Sequence, residues 1–465
     1  MIVPDVDNSP RRAGQYAESA RGRSVLLALF ILSLLLPIRP DVAGLRLDPY
    51  RFLLLIMFVP FLIKLFSGQA GRFTSSDGLL VLFVLWIIFT FIFHHGPKIM
   101  PYALATSIEL LGGYMAGRLL VRSAADYRRF IRFFMIALLV MFPLAIFELL
   151  TFRMPISEIL GPYVTAIPKF MNARYGLSRV QVVFPHAIHF GFFCSLAVAN
   201  IYYLYRGSLH LMLPQISLVL SMIFMSLSSA PLLSALLQIL LIIWGKLTAE
   251  RWRLLIIFSV SAYVIIELLS NRGPIVILIE TMTLNPETAW WRVHIWNFGS
   301  QSVLNNPFFG IGLNDWVRPK WLAETVDNYW LVVAMRHGFP GIALLITALT
   351  IHIYSIVRVS ISHSGLKMLR TGYTVSLIGM LLTLATVHVW DAMNAFIMFY
   401  IGAGAFLYTS FYEEEEKKSP PNHRHRARKT DDRTIAKQGL IRKPPLPFSQ
   451  SQNQSIHQFR GPEEQ

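Results

Sequence analysis

From Gly78 to His95 the chain reads GLLVLFVLWIIFTFIFHH. Apolar side chains follow one another here without the alternation of a strand that has one wet face. The run is long enough to cross a hydrocarbon core of about 30 Å as a helix, which takes roughly 17 to 25 residues. Runs of this kind recur along the chain. Twelve spans are predicted, over 24–38, 50–66, 78–95, 99–120, 130–151, 186–205, 210–228, 230–247, 253–270, 341–358, 371–389 and 393–411. The fold class is therefore all-α integral membrane, with about 12 transmembrane helices. Continuous rather than alternating runs speak against a β-barrel.

Composition agrees. Hydrophobic residues make up 54% of the 465 and charged ones 15%, with 33 Phe, 17 Tyr and 10 Trp. Soluble domains carry about a quarter charged residues. The net charge of +16 lies largely in the last fifty residues and in short loops between spans. That is the Lys/Arg bias of cytoplasmic loops, so no nucleic-acid partner is expected. The single cysteine, Cys194, lies inside an apolar run, which excludes an intrachain disulfide and a cysteine-based metal site. The first apolar run starts near Val25 and is expected to be a retained helix rather than a cleaved signal.

Loop charges orient the chain. Arg11, Arg12, Arg21 and Arg23 precede the first span, Arg118, Arg122, Arg128, Arg129 and Arg132 follow the fourth, and Lys246, Arg251 and Arg253 follow the eighth. Arg358, Lys367 and Arg370 lie between the tenth and eleventh. With twelve alternating spans all fall on one face, so that face is expected to be cytoplasmic with both termini inside. Three regions result: a cytoplasmic segment 1–23, a polytopic domain 24–411, and a basic, disordered cytoplasmic tail 412–465.

Two extracytoplasmic segments, 152–185 and 271–340, break the charge rule. The first carries Arg153, Arg174 and Arg179, the second Arg272, Arg292, Arg318 and Arg336. Guanidinium groups bind two oxygens of a phosphate at once and stay charged at working pH, so the concentration suggests an anionic ligand at the outer face. His186 and His189, three apart near the start of the sixth span, fit acid/base groups or metal ligands, or the commoner role of interfacial packing. Ile275 to Leu284 is too short to cross and reads as an interfacial helix. Trp290, Trp291 and Trp296 suit an interfacial belt and also stack on sugars. Gly310-Ile311-Gly312 is weak evidence for a phosphate cradle. Asp327 or Thr325 is expected near the N-cap of a short helix. Glu109, Glu148, Glu267 and Asp391 fall within or at the ends of spans, where charges are functional or paired; Arg118 is a candidate partner for Glu109.

The order of these features resembles the O-antigen ligase and polysaccharide polymerase superfamily of bacterial envelopes. Arg292 and Trp296 are followed by Asn306-Pro307-Phe308-Phe309-Gly310-Ile311-Gly312, the polar-aromatic Asp327-Asn328-Tyr329-Trp330, and Gly338-Phe339-Pro340-Gly341. Arg174 and Arg179, then Pro185-His186-Ala187-Ile188-His189-Phe190-Gly191, and the Ser226-Leu227-Ser228 break add to it. The likeness covers about residues 170–345 in detail. It implies a metal-independent, inverting glycosyltransferase without a cofactor. The donor would be an undecaprenyl-diphosphate-linked glycan, and the acceptor a glycan or lipid. Membrane lipids and a polysaccharide-export machinery are the further partners. In that light Arg174, Arg179, Arg272 and Arg292 would hold the diphosphate. His186, His189, Trp296 and Asn328 would position substrate. Members often have a histidine where this chain has Asp327, and many have an arginine after the Ser-x-Ser break, where it has Ser229-Ala230-Pro231. Asp327 is thus the candidate base, with His337 and His294 as alternatives, and the departures favour an exopolysaccharide or related polymerase or ligase. A transporter or flippase of lipid-linked sugars is the competing class, although transporters keep their sites near the midplane. A non-catalytic assembly subunit is the third.

Overall fold

A computed structural model of the protein describes residues 10–42, 45–161, 173–270 and 286–409. The tail beyond 409, Arg272 and the interfacial run 275–284 lie outside these residues. Helices occupy all twelve apolar stretches. In chain order they are α1 (Pro10–Leu35), α2 (Pro49–Phe66), α3 (Ser75–His95), α4 (Met100–Ser107), α5 (Gly113–Leu120), α6 (Ala124–Thr151), α7 (Pro155–Ile159), α8 (Ala187–Ser195), α9 (Val198–Tyr205), α10 (Leu209–Met225), α11 (Ser229–Leu247) and α12 (Trp252–Leu269). Then follow α13 (Pro286–Asn305), α14 (Tyr329–Arg358), α15 (Ser364–Leu384) and α16 (Ala392–Ala403). Two antiparallel pairs of two-residue strands complete them, β1 (Asp41–Val42) with β2 (Leu45–Arg46) and β3 (Ala173–Arg174) with β4 (Leu177–Ser178). Among the described residues eight helices are long and apolar enough to cross a membrane, and α10 is apolar but shorter.

Three predicted spans are remodelled. The fourth is α4 and α5 joined by a π-helical turn over Ile108–Gly112. The sixth breaks at Leu196 and Ala197 between α8 and α9. The tenth starts at Tyr329 rather than 341, because α14 continues through a kink at Gly338, whose φ of 69° is left-handed. The short helix expected before that span is the first turns of α14. Its N-cap is Asn328, whose Oδ1 accepts from Leu331 N at 3.0 Å, not Asp327 or Thr325.

The core is aromatic and close-packed. Phe130, Phe134, Phe193, Phe396 and Phe399 stack in sequence across α6, α8 and α16, with ring centroids 4.6 to 5.8 Å apart. α5 and α16 meet backbone to backbone: a Cβ on Gly117 would strike Phe399 O, and one on Gly402 would strike Tyr114 O. Small residues allow this approach where lipid supplies no hydrophobic drive between helices. Leu55, Ile56, Val59 and Ile63 on α2 point outward, as a lipid-facing helix requires. α12 buries no residue at all.

Several buried charges are paired. Arg118 donates to Ala70 O at 2.6 Å and to Arg72 O at 2.8 Å, and lies 3.4 Å from Asp77. Glu109 therefore has a different partner from the one expected: Arg51, at 2.6 Å, with Tyr50 Oη donating at 2.9 Å. Arg51 also reaches Asp48 at 3.1 Å and Asp391 at 3.0 Å, and Arg39 reaches Asp391 at 3.3 Å. This network ties the start of α2 to the π turn and to the start of α16. Neutralising each charge locally is what makes it tolerable in a helix bundle.

Candidate functional site

The site forms where the chain between helices gathers at one end of the bundle. Its foundation is the kink in α14. Pro340 has no N–H, and Phe339 N donates instead to Pro307 O at 2.7 Å. The carbonyls of Met335 and Arg336 are thereby released from the helix ladder. Ile311 N takes the first at 2.7 Å and Gly312 N the second at 3.1 Å. His95 Nε2 accepts from Leu313 N at 2.8 Å. The Asn-Pro-Phe-Phe-Gly-Ile-Gly turn and the Gly-Phe-Pro-Gly kink are thus one structural unit. The Gly310 amide donates to Asn306 O at 3.1 Å and those of Ile311 and Gly312 to α14, so all three are committed and do not cradle phosphate.

Above this unit lies a cavity of about 950 Å³, bordered by Asp327, Arg336, Trp316, His186, His388 and Trp390. That volume suits a small ligand or the head of a larger one. The far wall is the non-helical stretch 385–391, of which 385–389 was predicted to close the eleventh span. It is held by Tyr329 N donating to Val387 O at 3.2 Å, by His189 Nε2 against His388 O at 3.1 Å, and by Asp391 in the arginine network. The His189 ring lies 4.1 Å from Trp390.

The first arginine loop docks on the other side. Arg174 Nη1 donates to Leu227 O and Arg179 Nη2 to Ser228 Oγ, both at 2.9 Å. Gln181 N and Val182 N donate to the buried Glu148 carboxylate at 3.0 and 2.8 Å, which anchors the strand behind Arg179. Two arginines therefore sit over the Ser226-Leu227-Ser228 break, where no arginine follows in sequence. Arg292 on α13 is close enough to interact electrostatically with both Arg174 and Asp327, and Arg179 with Arg174 and His186. Burial pushes the Arg179 guanidinium down to about 10, which leaves it cationic near neutral pH, and burial also lowers that of Arg292. Asp327 opens on the cavity, yet desolvation by the protein around it raises its carboxyl pKa, against the lowering effect of Arg292. Among the described residues the buried Nε atoms of Arg179 and Arg292 have no hydrogen-bond partner. Such donors are costly to leave open, and two of them beside a third arginine form a place for an anion.

Not every predicted residue comes to this place. His337 does not border the cavity: it is buried between α3 and α14, with Nδ1 2.7 Å from Thr90 Oγ1 and its carbonyl accepting from Trp86 Nε1 at 2.8 Å. At the kink it is the neighbouring Arg336 that turns to the cavity. Asn328 is spent as a helix cap, and Trp296 is exposed on α13 away from the cavity wall. His294 packs edge-on against Trp321 at 5.0 Å. His186 caps α8 through Nδ1, accepting from Ile188 N at 3.1 Å, and its ring lies 6.5 Å from that of His189. Of the seven arginines in the two segments, Arg153 pairs with Glu158 and Arg318 with Asp315 and Glu324. Arg174, Arg179 and Arg292 gather, and Arg336 faces the cavity. His388 and Trp390 were missed: the first was absorbed into the predicted span 371–389 and the second lies just past its end. His388 Nδ1 is buried without a partner among the described residues.

Fold and site define a multi-pass, all-α membrane protein with an arginine-flanked polar cavity. A family model described as O-antigen ligase matches residues 216–346, which supports the O-antigen ligase and polymerase superfamily for this chain. The match takes in the Ser226-Leu227-Ser228 break, Arg292, the 306–312 turn, Asp327 and the α14 kink. It supports transfer of glycan from a lipid-linked donor to an acceptor as the general activity. No curated protein matches the chain.

Proposed function

We propose that this protein polymerises or ligates undecaprenyl-diphosphate-linked glycan units at the outer face of the inner membrane, as an inverting glycosyltransferase with both termini in the cytoplasm. The observation that carries this reading is the pair of unpartnered, buried Nε donors of Arg179 and Arg292 beside Arg174 and next to Asp327. Arg174, Arg179 and Arg292 hold the donor diphosphate, with Arg272 contributing from the adjoining segment. An acceptor hydroxyl oxygen attacks the anomeric carbon from the opposite side. The bond from that carbon to the diphosphate oxygen breaks, and its electron pair leaves with the lipid diphosphate. The guanidinium groups stabilise the charge gathering there. Asp327 takes the hydroxyl proton, for which its raised pKa suits it better than an ordinary carboxylate. His388, across the cavity, is the second candidate for that proton.

A deletion strain tests the reaction. Loss of long glycan with intact lipid-linked units accumulating at the outer face is the expected result. Units trapped at the inner face would replace the transferase reading with flipping. Arg292→Ala, normally inserted, should lose activity by on the order of a hundredfold, the scale of one lost transition-state donor. Full glycan output from that variant would remove the clamp. Asp327→Asn with full activity would move the proton to His388.

A further inference from the structure

A second cavity, of about 480 Å³, runs along α13 and shares Ile311, Asp315 and Trp316 with the first. Its wall has a different chemistry. Asn297, Gln301 and Asn305 recur every four residues, so they stand on one face of the helix, and Asn306 extends the row. Phe298 and Trp316 supply aromatic surface. No lysine, arginine or histidine borders it, and its only charge, Asp315, is paired with Arg318. Asn297, Gln301 and Asn305 are exposed, and their side-chain amides make no hydrogen bond among the described residues. Trp316 is fixed by its Nε1, which donates to Glu324 O at 3.1 Å.

Each amide both donates and accepts, which matches hydroxyl groups of either polarity along a chain. Aromatic faces supply the apolar area against which a sugar ring packs. An anion finds no cation here, and a lipid tail would strand the amides of Asn297, Gln301 and Asn305 without partners, while Asn306 Nδ2 donates to Ser302 O at 3.2 Å. From Asn297 to Asn305 the row spans about 12 Å at the helical rise, the reach of a short oligosaccharide rather than of one sugar. We propose that this groove is a glycan subsite, holding the uncharged sugars of the chain beyond the reacting bond while the arginine cavity holds the diphosphate end. It rests on the transferase reading for which chain is held.

The test uses the full-length protein in lipid nanodiscs. The probe is the oligosaccharide released by mild acid from the host's own lipid-linked glycan, so that no diphosphate remains to engage the arginines. Binding is followed by calorimetry and by saturation-transfer NMR. Combined Gln301→Ala and Asn305→Ala should raise the Kd about tenfold, the effect of one or two lost hydrogen bonds, and shorten the glycan products. Both sites are exposed on a helix and alanine favours helix, so folding is preserved. Gln215→Ala, a half-buried amide on α10 that borders neither cavity, is the control and should change neither. The proposal is overturned if wild type fails to bind the oligosaccharide, or if the double substitution leaves the Kd unchanged. A protein that transfers glycan with a Kd indifferent to these amides keeps the transferase reading and loses the groove. One that binds through the amides yet transfers nothing keeps the groove and loses the transferase reading.

Discussion

Arg292 and Asp327 act on each other's protonation, and the sign of that coupling makes a test. Desolvation lifts the Asp327 carboxyl above the ordinary carboxylate range and Arg292 holds it partly down. A base must be deprotonated to work, so kcat/KM should fall as pH drops through the pKa of Asp327. That acid limb should lie at higher pH than an unperturbed carboxylate would give. Arg292→Ala removes the lowering influence, so in the residual activity the limb should move to still higher pH, while Arg292→Lys should leave it nearer the wild-type position. A pH profile of kcat/KM across these variants decides it. A limb that stays in place when Arg292 is removed, or that survives in Asp327→Asn, belongs to another group. The residue scale also shows why His337 misled: a histidine beside an arginine in a polar loop reads as chemistry, yet the kink turns it onto Thr90.

At the scale of elements, the α14 kink and the 306–312 turn stand or fall together. Gly338 has a φ of 69°, a region that costs other residues about 1–2 kcal/mol. A Cβ there would also strike Phe308 O. Gly338→Ala should therefore destabilise the protein by at least the conformational cost and free the Ile311 and Gly312 amides from α14. Thermal unfolding in nanodiscs should show a lower Tm, with activity lost at temperatures where the protein stays folded. Unchanged Tm and activity would show that the two motifs are independent. Both motifs stood out in the sequence, the first as a turn and the second as the opening of a span, but their mutual hydrogen bonds did not, because the pairing joins segments separated by more than twenty residues. The same reason hid 385–391. Its Val387, Val389 and flanking leucines continue an apolar run, and only the tertiary ties to Tyr329, His189 and Arg51 reveal it as the wall of a cavity. Local periodicity reports helices well and reports nothing of what their ends meet.

Across the whole molecule, the alternation of helices brings residues 36–42, 45–48, 152–161, 173–186, 311–328 and 385–391 to one end, and the chain between α1 and α2 meets that between α15 and α16 through Arg39 and Asp391. The apolar runs made the helices legible from the start, and the loop charges give the expected orientation. Its sidedness can be read chemically, because the chain is almost free of reactive thiol: Cys194 is its only cysteine and is buried. Lys320→Cys places a thiol in the exposed stretch beside the site. Ser419→Cys places one in the basic tail. In intact spheroplasts a membrane-impermeant maleimide should modify the first and spare the second, and permeabilisation should expose both. The unaltered chain should remain unlabelled under either condition. Labelling of the tail in sealed cells, with protection of position 320, would invert the topology and put the arginine cavity on the side where lipid-linked units are built rather than joined. Labelling of both would require an even number of crossings between them, and the span that fails would be sought among α14, α15 and α16.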